Sequence, residues 1–577
     1  MIALKADAYL TWNNNKPIGQ LVRQIGKNQL DGVPSVLLGH SRLVTDDASA
    51  KQPLWVDGIG VGHNGIIVNH QELMSKMGRE SITRLDSEVL GHIAADYLAR
   101  TDDVSGLPEQ ILQRCRGSVS TFLVIPQLGK LVLVSNTGSL YVTQTHAATL
   151  FASEASAIRQ VEYTAPRQLI GGLILDIPIG QRGTIHIGSD SPRVNVASLQ
   201  NSPQLEKLLQ TPSPDFHRCS KCILPETFPF IEFDDEGICN YCNNYVSRNA
   251  PRPIEELLHM LLPYRRTNGP EAIIPFSGGR DSSFALHFAV NELGLKPITY
   301  TYDWGMITDL GRRNVSRMTS ALQVENILVA GDIEKKRRNI RLNLMAWLQT
   351  PDLALLSLLT AGDKHFFRYI IDVQRSTGIS LNLWGVNPLE TTHFKTGFLG
   401  IPPNFMNSSV YNKGWRSQFD FHRRRFRAMS ANRKFFNRSL VDTLSGEYYR
   451  SFRQQQDYFH VFDFLRWDES EVEKTLDLYE WERAPDTRAS WRIGDGTAAF
   501  YNYVYFTCAG FTEHDTFRSN QIREGDISRK EALNLVKAEN QPRYQNIKWY
   551  LDTVGVDFTR AIAAINAAPR LHESLYS

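Results

Sequence analysis

Short apolar runs broken by Gly, Asn and Asp dominate residues 1–185: VPSVLLG, GIGVGHNGIIVN, VSTFLVIP, KLVLVSN and GLILDIPIG. Runs of this length with polar breaks read as strands, and the block as a layered, largely antiparallel α+β domain. One helix is expected after Asp86, where SEVLGHIAADYLAR sets Val89, Leu90, Ile93 and Leu98 near helical spacing. Residues 186–216 carry Ser and Pro without strong periodicity and read as a linker. Residues 217–250 form a short cysteine-bearing module. In residues 251–577 an apolar strand, a glycine turn and a helical pattern alternate from 270 onward. That alternation predicts a parallel α/β sheet, followed by a helical C-terminal region. No internal repeat is present.

The length of 577 residues allows three or four domains at roughly 100–200 residues each. With 42% apolar and 21% charged residues, the chain can bury several cores, and disorder or coiled coil is excluded as its main state. Lys plus Arg is 63 and Asp plus Glu 61, a net charge of +2. So even a balance does not point to nucleic acid or an anionic membrane as the partner, and leaves only local patches open. The start, MIALKADAYLTWNNNK, lacks a basic region followed by an apolar core. No apolar run reaches the ~20 residues of a membrane span. Leu353–Ala361 is the longest candidate and reads as a short buried helix segment. The expectation is a cytoplasmic protein without a membrane partner.

Four of the six cysteines lie in one stretch: Cys219-x2-Cys222, sixteen residues, then Cys239-x2-Cys242. Paired hooks at this spacing suit a four-thiolate zinc site, closed and therefore structural. Iron–sulfur ligation and four unrelated buried cysteines are the alternatives.

Residues 272–283 read AIIPFSGGRDSS. An apolar strand, Ala272 to Phe276, runs into Ser277-Gly278-Gly279-Arg280-Asp281-Ser282, and a helix pattern follows through Ser283. Glycines let backbone N–H groups approach an oxyanion, and the helix start favours negative charge. Ser277, Ser282 and Ser283 add hydroxyls, and Asp281 suits a magnesium ligand beside a pyrophosphate. The stretch resembles the PP-loop ATP pyrophosphatase family, whose signature is SGGxDS. That resemblance implies ATP and Mg2+ as cofactors, cleavage to AMP and pyrophosphate, and binding by Ser277, Gly278, Gly279, Arg280, Asp281, Ser282 and Ser283. A second strand, Lys296 to Tyr302, ends in TYDWG; in the family this end borders adenine and ribose, which implicates Tyr302 and Asp303. A third strand, Ser380 to Trp384, ends in Gly385-Val386-Asn387-Pro388-Leu389-Glu390, similar to a G-x-N…E element of the sugar-amidotransferase branch. Gly385 and Asn387 would border the nucleotide, and Glu390 would accept a proton from attacking ammonia. Lys395 either neutralises phosphate charge or is a solvated loop lysine.

HRCSKCILPETFPFIEFDDEGICNYC together with the SGGRDS loop resembles the N-acetyl sugar amidotransferases of surface-polysaccharide biosynthesis, related to asparagine synthases. FRSNQIREGDISRKEAL is similar to the same branch. The resemblance implies an amide or carboxyl oxygen of a small acceptor, a nucleotide-linked N-acetyl sugar, replaced by nitrogen to give an amidine or amide.

The N-terminal block also carries a resemblance. Gly39-His40-Ser41-Arg42-Leu43, Gln52-Pro53, His63-Asn64-Gly65-Ile66-Ile67-Val68-Asn69-His70, Leu85-Asp86-Ser87-Glu88 and Phe151-Ala152-Ser153-Glu154 are similar, in order, to class II glutamine amidotransferase domains of the Ntn-hydrolase fold. By that resemblance Arg42 and Asp86 hold glutamine, and Asn64 and Gly65 form the oxyanion hole. The family's nucleophile is an N-terminal cysteine, whereas Ile2 follows Met1 here. The expectation is a domain that does not hydrolyse glutamine, with nitrogen supplied as ammonia or by a separate glutaminase subunit.

Two basic runs with interleaved aromatics, around Lys335–Arg341 and Phe421–Arg438, read either as anion-binding surfaces or as helix faces paired with acids. Residues 481–502, polar and aromatic, read either as an acceptor wall or as a packed helical subdomain. The alternatives to an amidotransferase are a tRNA-modifying PP-loop enzyme and a non-catalytic nucleotide-binding subunit.

Overall fold

The computed structural model describes residues 2–5, 8–11, 35–40, 52–83, 85–101, 103–161, 165–177, 203–210, 216–390, 393–405, 415–452 and 457–572. The chain divides into two compact units, Met1–Gln200 and Asn201–Ser577.

In the first unit, β1 (Ile2–Lys5), β2 (Ala8–Thr11) and β3 (Val36–Leu38) form an antiparallel sheet in the order β2-β1-β3. A central antiparallel sheet contains β4 (Leu54–Val56), β5 (Ile59–His63), β8 (Ser120–Ile125), β9 (Lys130–Ser135) and β13 (Gly171–Asp176), ordered β13-β9-β8-β5-β4. The short β6 (Ile66–Ile67) pairs with β7 (Gly117–Ser118). A third sheet joins β10 (Tyr141–Gln144), β11 (Thr149–Ala152) and β12 (Arg167–Gln168). Strand alternation splits the core in two. Val61, Leu123, Val132 and Val134 pack on Val89, Leu90 and Ile93 of the helix Glu88–Leu98. Phe122, Val124, Leu131 and Leu133 pack with Ile2, Leu38, Leu140 and Val142. The layered block and the helix after Asp86 are both present.

The second unit is built on a five-stranded parallel sheet: β14 (Ala272–Pro275), β15 (Pro297–Asp303), β16 (Asn326–Ala330), β17 (Asn382–Trp384) and β18 (Tyr458–His460). The order is β16-β15-β14-β17-β18, so chain direction across the sheet reverses between β14 and β17. Both faces are covered, which explains the unbroken apolar runs. Ala272 and Ile274 join Phe284, Val315 and Met318 on one side; Ile273 and Tyr300 join Phe367, Ile370 and Val373 on the other. Leu353–Thr360 is a buried 3-10 helix, as its apolar run suggested. Helices make up most of the chain after β18.

Part of the stretch that reads as linker is ordered. Pro203–Glu206 is helical; Gln210 N–H donates to Tyr503 and the Leu208 carbonyl accepts from Asn566. Leu205 and Leu209 pack on the second unit's core, which supplies the apolar contact that this short helix cannot make alone. Residues 216–250 belong to that core too, through Cys219, Leu224, Phe228 and Tyr241. No helix among the described residues is long and apolar enough to cross a membrane.

Candidate active site

The turn Ser277–Ser282 leaves the carboxyl end of β14, next to the point where strand order reverses. Ligands of open parallel sheets settle in that crevice. Gly278 has φ +70° and lies so close to helix Asp309–Ala321 that a Cβ would stand 2.6 Å from the Gly311 carbonyl oxygen. Only glycine meets both demands. Gly279 starts the helix Arg280–His287, and its N–H donates to Ser277 Oγ at 3.3 Å. Ser277 and Ser282 hydroxyls stand 3.1 Å apart, Ser277 exposed and Ser282 half-buried. Trp481 fastens the turn by donating its indole N–H to the Gly278 carbonyl at 3.0 Å.

The expected site residues separate into those that meet here and those that do not. Asp281 Oδ1 accepts the Trp467 indole N–H at 2.7 Å and lies 3.5 Å from Asn387 Nδ2. Gly385 presses against the same helix, where a Cβ would come within 2.4 Å of Ala285 Cβ. Asn387 is buried, and its Oδ1 accepts the Leu389 N–H at 2.9 Å, shaping the turn that presents Glu390. Glu390 accepts the indole N–H of Trp491. Burial, and then the neighbouring Asp281 carboxylate, push the Glu390 carboxyl up to about 8.

Lys395 pairs with Glu513, a buried carboxylate that Arg492 also holds at 2.6 Å. Burial alone would raise Glu513; Arg492 and Lys395 outweigh it and bring it down to about 2. Lys395 is thus held in a partly exposed ion pair with Glu513.

Four more of the expected residues have side chains engaged elsewhere. Arg280, expected at the phosphates, is 2% exposed and committed to Asp281, Glu469 at 3.0 Å and Ser490 at 3.3 Å, with Trp467 and Phe517 under its guanidinium. Ser283 is fully buried. Tyr302 is a core side chain packed at a tilt against Tyr369, and Asp303 is spent on Arg312 at 2.8 Å and the Gly305 N–H. Each follows from position: the helix or strand end directs these side chains into packed layers, which sequence spacing does not reveal. Trp467 was missed altogether. It ends the aromatic stretch YFHVFDFLRW, where nothing local marks it out, and only folding brings it to Asp281. Trp481 and Trp491, from the 481–502 segment, are both packed (5% and 7% exposed) and bonded to the site.

The four thiols of Cys219, Cys222, Cys239 and Cys242 are buried and lie within 4.8 Å of one another. Cys219 and Cys242 sulfurs are 3.9 Å apart, Cys222 and Cys239 3.7 Å. Backbone N–H groups of Cys222 and Cys239 point at Cys219 Sγ, and Arg523 donates to Cys242 Sγ and Cys222 Sγ, each at 3.2 Å. Arg529 caps the Cys219 and Cys222 carbonyls. These two arginines lie in FRSNQIREGDISRKEAL, so that stretch serves as the charge complement of the thiol cluster.

In the first unit, Asn64 and Gly65 form the turn between β5 and β6. Gly65 has no room for a side chain: a Cβ would meet the Ser118 carbonyl at 2.2 Å. Asp86 accepts the Ile67 N–H at 2.7 Å and the Ser87 hydroxyl at 3.2 Å, tying this turn to the helix after it. Buried His63 bridges Ser87 Oγ and the Ser118 carbonyl, and Gln52 links His63 N–H to Ser87. Burial lowers the His63 pKa, against an upward pull from Asp86. Arg42 lies outside the described residues. Cys115, the one cysteine in residues 1–200, is buried, and burial pushes its thiol up to about 12.

Residues 40–160 match a glutamine amidotransferase domain. The curated relatives agree. The chain is 26% identical over 151 residues to glutamine–fructose-6-phosphate aminotransferase (isomerizing) of Rhizobium meliloti, covering 24% of either chain. It is 31% identical over 104 residues to the enzyme of the same name from Mesorhizobium japonicum, covering 17% of either. The chain thus spans about a quarter or less of the length of the curated relatives it matches. Among solved structures, glutamine phosphoribosylpyrophosphate amidotransferase from B. subtilis, complexed with ADP and GMP, matches at 14% identity and a TM-score of 0.23, over 63% of this chain and 77% of that one. The U34-tRNA thiolase NcsA from Methanococcus maripaludis, with its 4Fe-4S cluster, matches at 12% identity and a TM-score of 0.21, over 59% and 88%. What the sequence comparisons support is a glutamine amidotransferase-like domain over residues 40–160.

Proposed function

We propose that the chain is an ATP-dependent, AMP-forming amidotransferase acting on a small acceptor, an amide- or carboxyl-bearing molecule such as a nucleotide-linked N-acetyl sugar. The observation that carries this reading is the juxtaposition of the Ser277–Ser282 turn with Asp281, Asn387 and Glu390 at the reversal point of the parallel sheet.

The turn offers backbone N–H groups, two serine hydroxyls and a helix start, donors that suit the phosphates of ATP. Asp281 is the residue that would hold Mg2+, which when bound neutralises pyrophosphate charge as it leaves. An amide oxygen is a poor leaving group, so it first attacks the α-phosphorus and expels pyrophosphate. Ammonia adds to the activated carbon, AMP departs, and C=O becomes C=NH. The nitrogen sheds a proton in this sequence. Glu390, with its carboxyl near 8, is matched to receive it, and Trp491 orients the accepting oxygen. Cys115 is too buried and too weakly acidic to open glutamine, so the nitrogen is read as ammonia or as the product of a separate glutaminase.

The donor set fits a single zinc ion held by Cys219, Cys222, Cys239 and Cys242. A tetrahedron with Zn–S near 2.3 Å has edges of about 3.8 Å, and the two measured pairs are 3.7 and 3.9 Å. In a four-iron cluster each thiolate sits on a different iron, which spreads the sulfurs further. Zn2+ on four thiolates leaves two negative charges, which Arg523 and Arg529 offset. Such an ion holds the fold and takes no part in the reaction.

Two measurements test this. With ATP, Mg2+, ammonium and candidate acceptors, AMP and pyrophosphate are expected, with a product in which an amide has become an amidine by mass spectrometry. Release of ADP, or no turnover on any acceptor, would overturn the reading. Metal analysis is expected to return one zinc per chain.

A further inference from the structure

The helix Ser439–Ser451 is amphipathic in the inverted sense. It buries Ser439, Asp442, Thr443 and Glu447. It turns outward Val441, Leu444 and Tyr448, which are 73%, 38% and 50% exposed, and Phe452 just beyond it is 51% exposed. The buried acids are partnered. Asp442 accepts from Asn339 at 2.7 Å and faces Lys336 at 3.4 Å; Glu447 grips Arg425 at 2.7 and 3.0 Å. Positions 441, 444, 448 and 452 recur at helical spacing, so the outward apolar groups form one stripe. Tyr448 and Phe452 stack within it, centroids 6.2 Å apart. A soluble helix ordinarily shows water the opposite face, so this stripe is a surface made to be covered.

The chain segment that leads into this helix is basic. Residues 427–441 contain Arg427, Arg433, Lys434 and Arg438 and no acid. All four are exposed, and among the described residues none makes an ion pair or side-chain hydrogen bond. The arginines just before them behave differently: Arg423 and Arg424 pair with Asp420, and Arg425 with Glu447. The long basic run thus divides into a neutralised half and an uncompensated half, and the uncompensated half leads into the apolar stripe. Phe436, 47% exposed and stacked on Phe426, lies between Lys434 and Arg438.

We propose that this surface, Arg427–Arg438 with the helix Ser439–Ser451, docks peripherally on an anionic lipid bilayer. The four cations complement lipid phosphates, while Phe436, Val441, Leu444, Tyr448 and Phe452 enter the boundary between headgroups and acyl chains. RNA would satisfy the cations but not the aliphatic Val441 and Leu444, since bases stack on aromatic rings. A second copy of the chain would satisfy the stripe but would set the basic segment against itself across a two-fold axis. Lipid satisfies both. This proposal departs from the expectation, drawn from the sequence, of a protein without a membrane partner.

The test is co-sedimentation of the full chain with vesicles of phosphatidylcholine alone and of phosphatidylcholine mixed with phosphatidylglycerol. Binding to the mixed vesicles only, weakening as salt is raised, is expected. The double variant K434A/R438A is expected to partition roughly 30-fold less well, from about 1 kcal/mol per cation at an anionic surface. V441S/L444S should also lose binding, and both variants should melt like the parent because the altered side chains are exposed. The proposal is overturned if mixed vesicles sediment without the protein, or if both double variants bind as the parent does. A concentration-dependent dimer abolished by V441S/L444S, without vesicle binding, would assign the stripe to self-association instead. Retention of polyuridylate lost in K434A/R438A, again without vesicle binding, would assign the basic segment to RNA.

Discussion

The two candidate sites treat buried polarity in opposite ways. In the N-terminal unit, Gln52, His63, Asp86 and Ser87 satisfy one another and the backbone of Ile67 and Ser118. Such a network fixes the shape of a turn and leaves little charge uncompensated. In the C-terminal unit, Asp281 and Glu390 crowd one crevice, and Glu390 is driven to about 8 by burial and by its neighbour. Its nearest cations are already engaged: Arg280 with Asp281 and Glu469, Arg492 with Asp495 and Glu513. A closed polar network specifies structure, whereas a surplus of carboxylate is poised to take a proton or a cation. On this comparison the proposed reaction is assigned to the second unit.

The sharpest way to break that comparison is to exchange one carboxylate in each site. D281N is expected to lower AMP formation by about 10³-fold, as for loss of one group that stabilises the transition state, whereas D86N should leave ammonium-dependent AMP formation unchanged. Similar losses in both would erase the contrast.

Next in size is the pH profile. Turnover should climb as pH passes about 8, where Glu390 becomes a base, and E390Q should give a low and flat profile. Stability gives the opposite sign. The folded carboxyl titrates above its usual 4.5, so the folded chain keeps a proton that the unfolded chain has released. Stability therefore falls as pH rises from about 4.5 towards 8, and E390Q should remove that decline in pH-dependent melting. An unchanged melting profile would separate Glu390 from the crevice chemistry.

A smaller effect is expected of W491F, which deletes the donor to the charged form of Glu390. The midpoint of the pH–rate curve should move upward by about one unit, since a hydrogen bond to a charged group is worth roughly 1.5–3 kcal/mol. The smallest is C115A: no change in AMP formation, with a loss of about 1 kcal/mol in stability from the removed buried sulfur. A large drop in activity would bring Cys115 into the chemistry and close the gap between the two units.

Much of this architecture was legible before folding. Strands of the first unit announced themselves as short apolar runs cut by turn residues, since the central strands are buried on both faces. The strand–glycine turn–helix unit at 272–287 was legible because its components adjoin in sequence. The four cysteines were legible because two hooks need only local spacing. Side-chain direction was not. Arg280 sits within the motif yet points into a buried ion-pair layer, and Ser283 is one helical step too far round to face the turn. Lys395 met Glu513, 118 residues away, a pairing that no local pattern encodes.

The sequence by itself therefore determined element types, the parallel and antiparallel classes, the thiol quartet and the glycine turn after β14, because each depends on periodicity or on neighbours along the chain. Tertiary structure alone decided which groups surround the candidate crevice. Trp467 reaches Asp281 across 186 residues and Trp491 reaches Glu390 across 101. It also decided which half of the basic run stays unpaired and that one helix wears its apolar face outward. These outcomes depend on desolvation and on partners brought together from distant segments, quantities that come into being only when the layers pack.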